Sequence, residues 1–446
     1  MIALAGFGVL QCAAVAESAI VDQLIDAETN SSFAYDRLAT LCDTFGPRFS
    51  GTTNLEAAID WILAQMKSDG LENVHGEDVM VPHWVRGAES AEMLLPRPHN
   101  LPMLGLGGSV GTPAGGITSD VLVVNNFAEL TARASEAAGK IVLFDVPFVT
   151  YGETVRYRGH GAIEAARVGA VACLVRSITP FSIQSPHTGA MSYSNGIPKI
   201  PSAAITVEDA EMMQRMADRG ERVVVRLSMS AMTLPDVPSR NVVAEVVGSE
   251  KPEEVVIVSG HIDSWDVGQG AMDDGGGAMT AWETARLMHK LGLRPRRTVR
   301  VVLWVNEENG TAGARGYEKR HKSEMPQHVL AIECDRGTFR PLGFSFVGCE
   351  AGRQEIEKFL QPLERIGAGK LFSEGSETDV EQLEKDGVPL LALVDDETKY
   401  FWYHHTQADT MDKLKPDELA GCCSAMAAMA WEAADAQTAI PRVPVK

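Results

Sequence analysis

The residues with the clearest potential for chemistry follow a continuous apolar run at 255–258. His261 lies just beyond that run, and Asp263, on the same side of an extended chain, can accept the second ring N–H and fix the imidazole tautomer. Asp273 follows twelve residues after His261, in a glycine-rich segment that leads into a helical pattern. Its two carboxylate oxygens can bind two cations. Taken alone, the His261 segment could be an ordinary polar loop, and the Asp273 segment could be a helix start with capping acids. Together the two segments predict a metal site.

A pair of adjacent glutamates ends the next apolar run. Residues 301–305 are followed by Asn306, Glu307, Glu308 and Asn309. Neighbouring side chains at a strand end point in different directions, so one carboxylate can bind a metal ion while the other holds the attacking water and accepts its proton. Glutamate pairs are common on protein surfaces, but the position after a buried strand favours a catalytic pair.

Two further segments complete a possible ligand set. Asp335 follows the apolar run 329–332, and two imidazoles, His404 and His405, precede Asp409. Either imidazole could reach a metal ion; we prefer His405 because it precedes a threonine and stands four residues before Asp409. Two tetrahedral zinc ions that share one carboxylate and one water need a set of this size. The five predicted ligands are His261, Asp273, Glu308, Asp335 and His405.

Buried strands alternating with helices must position these residues. The runs at 255–258, 301–305 and 329–332 are apolar throughout, as in strands that are covered on both faces. The helical patterns between and after them lie at 276–291, 312–322 and 351–365. We therefore expect an α/β fold with a mixed, mostly parallel sheet covered by helices. In such a sheet ligands collect at the carboxyl ends of the strands, where these polar residues lie.

The sequence changes character between residues 100 and 238. Glycine and proline become frequent there, and short strand patterns alternate with helical ones. We expect an inserted β-rich module at 100–238, which interrupts a catalytic domain formed by residues 17–99 and 239–446.

Composition and charge exclude several classes of function. The chain has 446 residues and a formal net charge of -20, which argues against a nucleic-acid-binding protein. After the N-terminus no segment reaches the roughly 18 uncharged apolar residues that a membrane span needs. Residues 1–16 are apolar and end in Ala-Val-Ala. This predicts a cleaved export signal and a secreted or periplasmic protein, with an ordinary apolar helix as the alternative.

The order of these motifs resembles a known superfamily. His-x-Asp, an aspartate twelve residues after the histidine, Glu-Glu, a later Asp and His-Thr-x-x-Asp-Thr are similar to the co-catalytic zinc aminopeptidase and glutamate carboxypeptidase superfamily. The string His-Ile-Asp-Ser-Trp-Asp-Val-Gly-Gln-Gly-Ala-Met-Asp-Asp-Gly-Gly-Gly-Ala at 261–278 looks like one branch of it. Residues 82–84, 185–189 and 205–213 also look like that branch, so the resemblance covers nearly the whole chain.

The resemblance implies two zinc ions per chain and a role for each ligand. His261 and Asp335 would bind one ion, Glu308 and His405 would bind the other, and Asp273 would bridge them. In catalysis Glu307 would be the general base, and Asp263 and Asp409 would orient the ligands.

The resemblance also implies an activity and an assembly. The expected activity is hydrolysis of small peptides, above all dipeptides with free termini, by a hydroxide held by the ions. The protein would be a homodimer, and the module at 100–238 would be a protease-associated domain that restricts substrate length. One alternative is an aminopeptidase that acts on longer peptides. Another is a carboxypeptidase selective for acidic residues, which would need a cation such as Arg176, Arg315 or Arg336. A more remote alternative is a non-catalytic receptor-like protein.

Overall fold

The computed structural model describes residues 19–29, 31–373 and 375–444. They form two compact units. The larger unit spans Met1–Val81, Pro238–Thr398 and Thr410–Lys446, and the smaller unit spans Pro82–Val237 and Lys399–Asp409. The predicted export signal at 1–16 lies outside the described residues.

The secondary structure alternates between strands and helices, as the apolar patterns predict. In chain order the strands are β1 (Glu72–Val85), β2 (Glu89–Leu95), β3 (His99–Leu101), β4 (Met103–Gly105), β5 (Ile117–Val124), β6 (Ile141–Phe144), β7 (Ala172–Arg176), β8 (Ser202–Ile205), β9 (Val224–Met229), β10 (Met232–Val246), β11 (Lys251–His261), β12 (Arg297–Trp304), β13 (His328–Glu333), β14 (Pro341–Val347), β15 (Lys370–Leu371) and β16 (Leu390–Asp395). The helices are α1 (19–29), α2 (Phe33–Phe45), α3 (Thr53–Ser68), α4 (Phe127–Ala132), α5 (Ala134–Ala137), α6 (Tyr151–Arg167), α7 (Val207–Asp218), α8 (Gly276–Lys290), α9 (Ala312–Arg320), α10 (Glu350–Phe359), α11 (Thr378–Glu381), α12 (Tyr400–Tyr403) and α13 (Pro416–Asp435).

The larger unit is built on an eight-stranded sheet in the order β1-β10-β12-β11-β13-β16-β14-β15. Strands β12, β11, β13 and β16 are parallel neighbours, while β10 and β14 pair antiparallel with the central group. The inner stretches of β11, β12 and β13, residues 255–258, 301–304 and 329–332, are apolar and buried, as expected for strands covered on both faces. The prediction of a mixed α/β sheet covered by helices is confirmed.

The register of the central strands brings their carboxyl ends to one edge. His261 at the end of β11 pairs with Trp304 at the end of β12, and Ser259 pairs with Glu333 at the end of β13. The residues that follow each strand therefore emerge side by side. This edge carries most of the residues that the sequence marks for chemistry.

Helices α8 and α13 pack against β11 and against each other. Helix α8 is buried along nearly all of its length and ends with basic residues, which suit the negative end of the helix dipole. Helix α13 begins with Pro416, whose missing N–H costs nothing at a helix start. On the β12 and β13 side, Trp304 and Tyr317 belong to a core cluster that also includes Val380 of α11.

The smaller unit has its own eight-stranded sheet in the order β3-β2-β9-β5-β6-β7-β8-β4. Strands β5, β6, β7 and β8 are parallel, and the remaining pairs are antiparallel. Two separate apolar clusters line this unit, one including Met213 of α7 and the other Tyr157 of α6. The predicted module at 100–238 falls almost wholly within this unit, which also includes residues 82–99 and 399–409. Within the described residues of both units, no helix combines the length and the apolar character that a bilayer crossing requires.

Candidate metal centre

Three of the predicted ligands converge at the end of the central strands. Nε2 of His261 lies 3.4 Å from Oδ1 of Asp273 and 3.3 Å from Oδ1 of Asp335. One ligand atom from each residue lies within 4.8 Å of the other two. The opposite nitrogen, Nδ1, donates a hydrogen bond to the main-chain carbonyl of Asp263 at 2.8 Å, which leaves the Nε2 lone pair directed toward the carboxylates.

The donor atoms of this cluster fit a cation. His261 Nε2 and Asp335 Oδ1 are buried, and neither makes a hydrogen bond within the part of the chain that the structure describes. Burial alone would lower the pKa of His261, but the charge of Asp335 and the close polar contact with Asp273 outweigh it and raise the pKa well above its usual value. Burial also raises the pKa of Asp335 to about 6. Buried polar atoms without partners are costly, so a divalent ion that accepts these lone pairs would stabilise them.

Asp273 is presented by a short helical turn, Ala271–Gly275, that leads into α8. The turn is tightly packed: a Cβ on Gly277 would lie 1.9 Å from the Cys334 carbonyl oxygen. The next residue, Asp274, accepts hydrogen bonds from the main-chain N–H of His261 and of Gly277, each at 2.9 Å. Asp274 thus ties the ligand turn to the end of β11. Sequence reasoning gave it only a capping role, and its position directly after Asp273 was the available signal.

The glutamate pair follows β12, and Asp263 holds it in place. The Asp263 carboxylate accepts a hydrogen bond from the Glu307 N–H at 3.2 Å, and Glu308 Oε1 accepts one from the Trp265 N–H at 3.1 Å. The sequence led us to expect the Asp263 carboxylate on the His261 ring. Instead the Asp263 carbonyl bonds the ring, while the carboxylate lies 3.8 Å from Nδ1 of His261 and accepts the hydrogen bond from the Glu307 N–H.

The electrostatic environment of Glu307 suits proton transfer. Burial and the charges of Asp335 and Asp273 raise its pKa to about 8, although His261 acts in the opposite direction. A cation held by these neighbouring carboxylates would lower this pKa and leave Glu307 ionised, as a general base requires. Glu308 is also buried, and its pKa is raised by burial and by Asp273.

Two further buried carboxyls near this edge were not identified from the sequence. Glu333, the last residue of β13, accepts a hydrogen bond from the Val380 N–H at 3.0 Å. Asp379 is fully buried, and burial and then Glu333 raise its pKa well above its usual value. An apolar strand pattern and a short helix start gave no sign that these two side chains point inward.

The three arginines considered for binding an acidic substrate are either paired with carboxylates of the protein or exposed to solvent. Arg336 donates to Glu377 and Glu397, and Arg176 lies 3.2 Å from Asp145 and 3.1 Å from Glu211. Arg315 is exposed on α9.

The fifth predicted ligand, His405, belongs to the smaller unit. Its ring stacks on that of His404 with centroids 3.5 Å apart, and its Nδ1 lies 3.4 Å from both the Thr188 carbonyl and Arg158. The Thr188 N–H in turn donates to the His405 carbonyl at 3.0 Å. His405 adopts a left-handed conformation, φ 61°, which sets the direction of its side chain.

A buried histidine supports the same segment. His187 Nδ1 donates to the His404 carbonyl at 2.7 Å. Burial lowers the pKa of His187 to about 3, so the ring is neutral. Sequence reasoning used the segment 185–189 only for its resemblance and gave His187 no role.

Comparisons with known proteins place this geometry in a family. A model described as Peptidase family M28 matches residues 241–430, a range that includes all five predicted ligands. Carboxypeptidase Q of Mus musculus is 52% identical over 409 residues, which cover 92% of this chain and 87% of that protein. Carboxypeptidase Q of Homo sapiens is 50% identical over 434 residues, or 97% and 92% of the two chains.

The chain belongs to peptidase family M28, in its carboxypeptidase Q branch. This membership confirms the predictions of the superfamily and of a zinc-dependent metallopeptidase that acts on peptides.

Solved structures of M28 peptidases agree with the fold. The crystal structure of a Peptidase M28 precursor from Shewanella amazonensis superposes with a TM-score of 0.93 at 34% identity, covering 96% of this chain and 99% of that one. A zinc aminopeptidase from Bacillus subtilis gives a TM-score of 0.68 at 20% identity, over 92% and 98% of the two chains. The similarity to the Bacillus subtilis enzyme shows a shared fold alone.

Proposed function

We propose that this M28 peptidase uses two zinc ions to hydrolyse dipeptides with free termini. The observation that carries the metal part of the proposal is the convergence of His261 Nε2 with the carboxylates of Asp273 and Asp335 at one edge of the sheet. The carboxypeptidase Q relatives support a peptide substrate through their name.

The proposed ligand assignment uses the five residues predicted from the sequence. His261 and Asp335 would hold the first ion, Glu308 and His405 would hold the second, and Asp273 would be shared between them. Imidazole nitrogens and carboxylate oxygens are the donors that zinc prefers in catalytic sites. The Nδ1–H of His261 is fixed by the Asp263 carbonyl, which supports coordination through Nε2.

In the proposed reaction Glu307 is the general base. Its carboxylate takes a proton from the attacking water and passes that proton to the amine that leaves when the peptide bond breaks. Asp263 orients Glu307 through the main-chain hydrogen bond between them. Bound zinc supplies Lewis-acid polarisation of the scissile carbonyl and acidifies the attacking water. No serine or cysteine nucleophile is required.

The preference for dipeptides rests on two terminal charges. A free α-amine can be held by carboxylates near the ligands, and a fixed cation can demand a carboxylate one residue beyond the scissile bond. Each desolvated terminal charge should contribute about 2–4 kcal/mol to discrimination, because a blocked substrate leaves its partner unsatisfied. We also propose that residues 100–238 form a protease-associated module that restricts substrate length, that the protein is exported, and that it is a homodimer.

The test compares four substrates before and after metal removal. Dialysis against a strong chelator should abolish hydrolysis of an unblocked dipeptide, and added zinc should restore it. Loss of turnover with the N-acetylated dipeptide, the dipeptide amide and a longer peptide supports the dipeptidase.

The same substrates identify the alternatives. Rapid cleavage of the amide and of the longer peptide would indicate an aminopeptidase, and tolerance of the acetyl group would indicate a carboxypeptidase. A protein that binds zinc but hydrolyses none of them would support the receptor-like alternative, and full activity without metal would refute the metallopeptidase mechanism.

A further inference from the structure

Arg48 is a fully buried cation that contacts main-chain carbonyls. It follows α2 in the larger unit, and its guanidinium donates four hydrogen bonds. Nε bonds the Ile262 carbonyl at 2.7 Å, Nη2 bonds the Gly270 carbonyl at 2.8 Å, and Nη1 bonds the carbonyls of Gln269 and Gly46 at 2.7 and 3.2 Å. Among the described residues, no carboxylate lies within ion-pair distance of this guanidinium.

Three of those carbonyls belong to the loop that joins two metal ligands. Ile262 directly follows His261, and Gln269 and Gly270 lie just before the turn that carries Asp273. The guanidinium therefore connects the beginning and the end of the loop. Because arginine stays charged and offers donors in a fixed plane, it can hold several carbonyls in one arrangement.

The loop is shaped to receive this side chain. Gly270 has a left-handed φ of 58°, and a Cβ there would lie 2.2 Å from the Ser264 side chain and 3.0 Å from Arg48 Nη2. The carbonyl of Gly270 also accepts a hydrogen bond from the Gly275 N–H at 3.0 Å. One oxygen thus joins the arginine to the turn Ala271–Gly275, which contains Asp273.

The main chain around Arg48 reinforces the contact. Its N–H donates to Ser264 Oγ at 3.0 Å, and its carbonyl accepts from the Ser264 N–H at 3.3 Å. Two residues later, Ser50 Oγ lies 3.5 Å from Asp263 Oδ2 and accepts a hydrogen bond from Asn306 at 3.1 Å. The segment from Arg48 to Ser50 therefore contacts the loop after β11 and the second residue after β12, Asn306.

We infer that Arg48 is a positioning residue that sets the distance between the metal ligands His261 and Asp273 by fixing both ends of the loop between them. The inference rests on the proposed role of these two residues as zinc ligands. Arg48 bonds carbonyls and leaves the ligand carboxylates available to a metal ion. Residues that orient metal ligands typically change metal affinity or activity 10- to 100-fold when they are removed.

The experiment measures zinc affinity by competition with a chromogenic chelator in full-length protein. Arg48→Ala and Arg48→Lys are compared with the wild type and with Arg297→Ala. Arg297 is the matched control because it is also a fully buried arginine with carbonyl partners, but it lies at the opposite end of the parallel strands, at the start of β12. Thermal unfolding of each metal-free variant reports whether it is folded.

We expect Arg48→Ala to bind zinc 10- to 100-fold more weakly than the wild type. Arg48→Lys should lose at least 10-fold, because an ammonium cannot reach carbonyls arranged around a planar guanidinium. Arg297→Ala should lower the melting temperature and leave the zinc affinity of the folded protein within about 3-fold. Millimolar methylguanidinium should restore at least 10-fold of the affinity lost in Arg48→Ala, whereas N-methylurea should not.

Several results would overturn the inference. These are wild-type zinc affinity in Arg48→Ala, an equal loss in Arg297→Ala, or no restoration by methylguanidinium. If Arg48→Ala does not fold, Arg48→Lys decides, and wild-type affinity in that variant refutes the positioning role. A wild-type protein that binds fewer than two zinc ions would refute the proposed function instead, so the two failures are distinguishable.

Discussion

Replacing Glu28 by glutamine should make the protein less sensitive to alkaline pH. Glu28 lies in α1 and is fully buried beside Glu283 and Arg286 of α8. Glu283 is already paired with Arg286 through two short hydrogen bonds. Neither Glu28 oxygen accepts a hydrogen bond within the described residues, whereas a protonated Glu28 can donate one to Glu283. Lys290 and Arg286 oppose the effect, but burial and the Glu283 charge raise the pKa of Glu28 to about 9.

The magnitude follows from the difference between the folded and unfolded states. The unfolded chain loses the Glu28 proton near its ordinary pKa of 4.5, while the folded protein keeps it up to about 9. Because the folded pKa is raised, stability falls as pH rises between these two values, by at most about 1.4 kcal/mol per pH unit. At pH 7 the pH lies 2.5 units above 4.5, and 2.5 × 1.36 gives a cost of at most about 3 kcal/mol. Glutamine has a similar shape, can still donate to Glu283 and does not titrate.

The assay is urea unfolding of the wild type and Glu28→Gln at pH 5, 6, 7 and 8. The variant should match the wild type near pH 4.5 and exceed it by up to about 3 kcal/mol at pH 7, with the gap still widening at pH 8. Contributions from other buried carboxyls cancel in the difference. Asp26→Asn, on the exposed face of the same helix, is the control and should change stability by less than about 1 kcal/mol at every pH. Parallel stability curves for the wild type and Glu28→Gln would refute the reasoning.

Three further predictions concern the metal centre. Glu307→Gln should retain zinc but lose about 10²–10⁴-fold in turnover, whereas Glu308→Gln should lose zinc affinity before any other property. Near-normal turnover in zinc-loaded Glu307→Gln would contradict the assignment of Glu307 as general base. Zinc binding at pH 7 should release protons, because Glu307 without metal has a pKa of about 8 and a nearby cation lowers that pKa. Equal calorimetric heats of zinc binding in buffers of different ionisation enthalpy would contradict this prediction. His187→Leu should bind zinc more weakly, and His187→Asn, which keeps an N–H donor for the His404 carbonyl, should bind it like the wild type, as metal titration would show. Equal zinc affinity in His187→Leu and the wild type would remove the proposed support of the His405 segment.

The central strands and their ends could be predicted because their physical signal is local. A strand stretch covered on both faces must be apolar, and the run at 255–258 lies within β11 while the run at 301–305 covers the end of β12 and the residue after it. The helical pattern at 276–291 likewise matches α8, Gly276–Lys290. Convergence of His261 and Asp335 then follows from parallel strands, whose carboxyl ends share one edge.

The supports of the site could not be predicted, because they depend on contacts between distant segments. Arg48 lies more than 200 residues from the carbonyls of Ile262 and Gly270, and a main-chain carbonyl has no sequence signature. The direction of the Asp263 carboxylate depends on the turn after β11, which spacing from His261 does not determine. Spacing therefore identified the ligands, while the side chains that orient them required coordinates.

The balance of charge at the sheet edge explains why an arginine bonded to carbonyls suits this site. Many buried or partly buried carboxyls lie among the described residues that follow or adjoin the central strands, including Asp263, Asp273, Asp274, Glu307, Glu308, Glu333, Asp335 and Asp379. Their mutual repulsion favours protons or divalent cations, and bound zinc should stabilise the fold in proportion to its affinity. An arginine paired with Asp273 or Asp335 would lower that repulsion but would compete with the metal. Because Arg48 instead bonds the carbonyls of the loop between His261 and Asp273, it fixes the positions of these two ligands without bonding to either side chain itself.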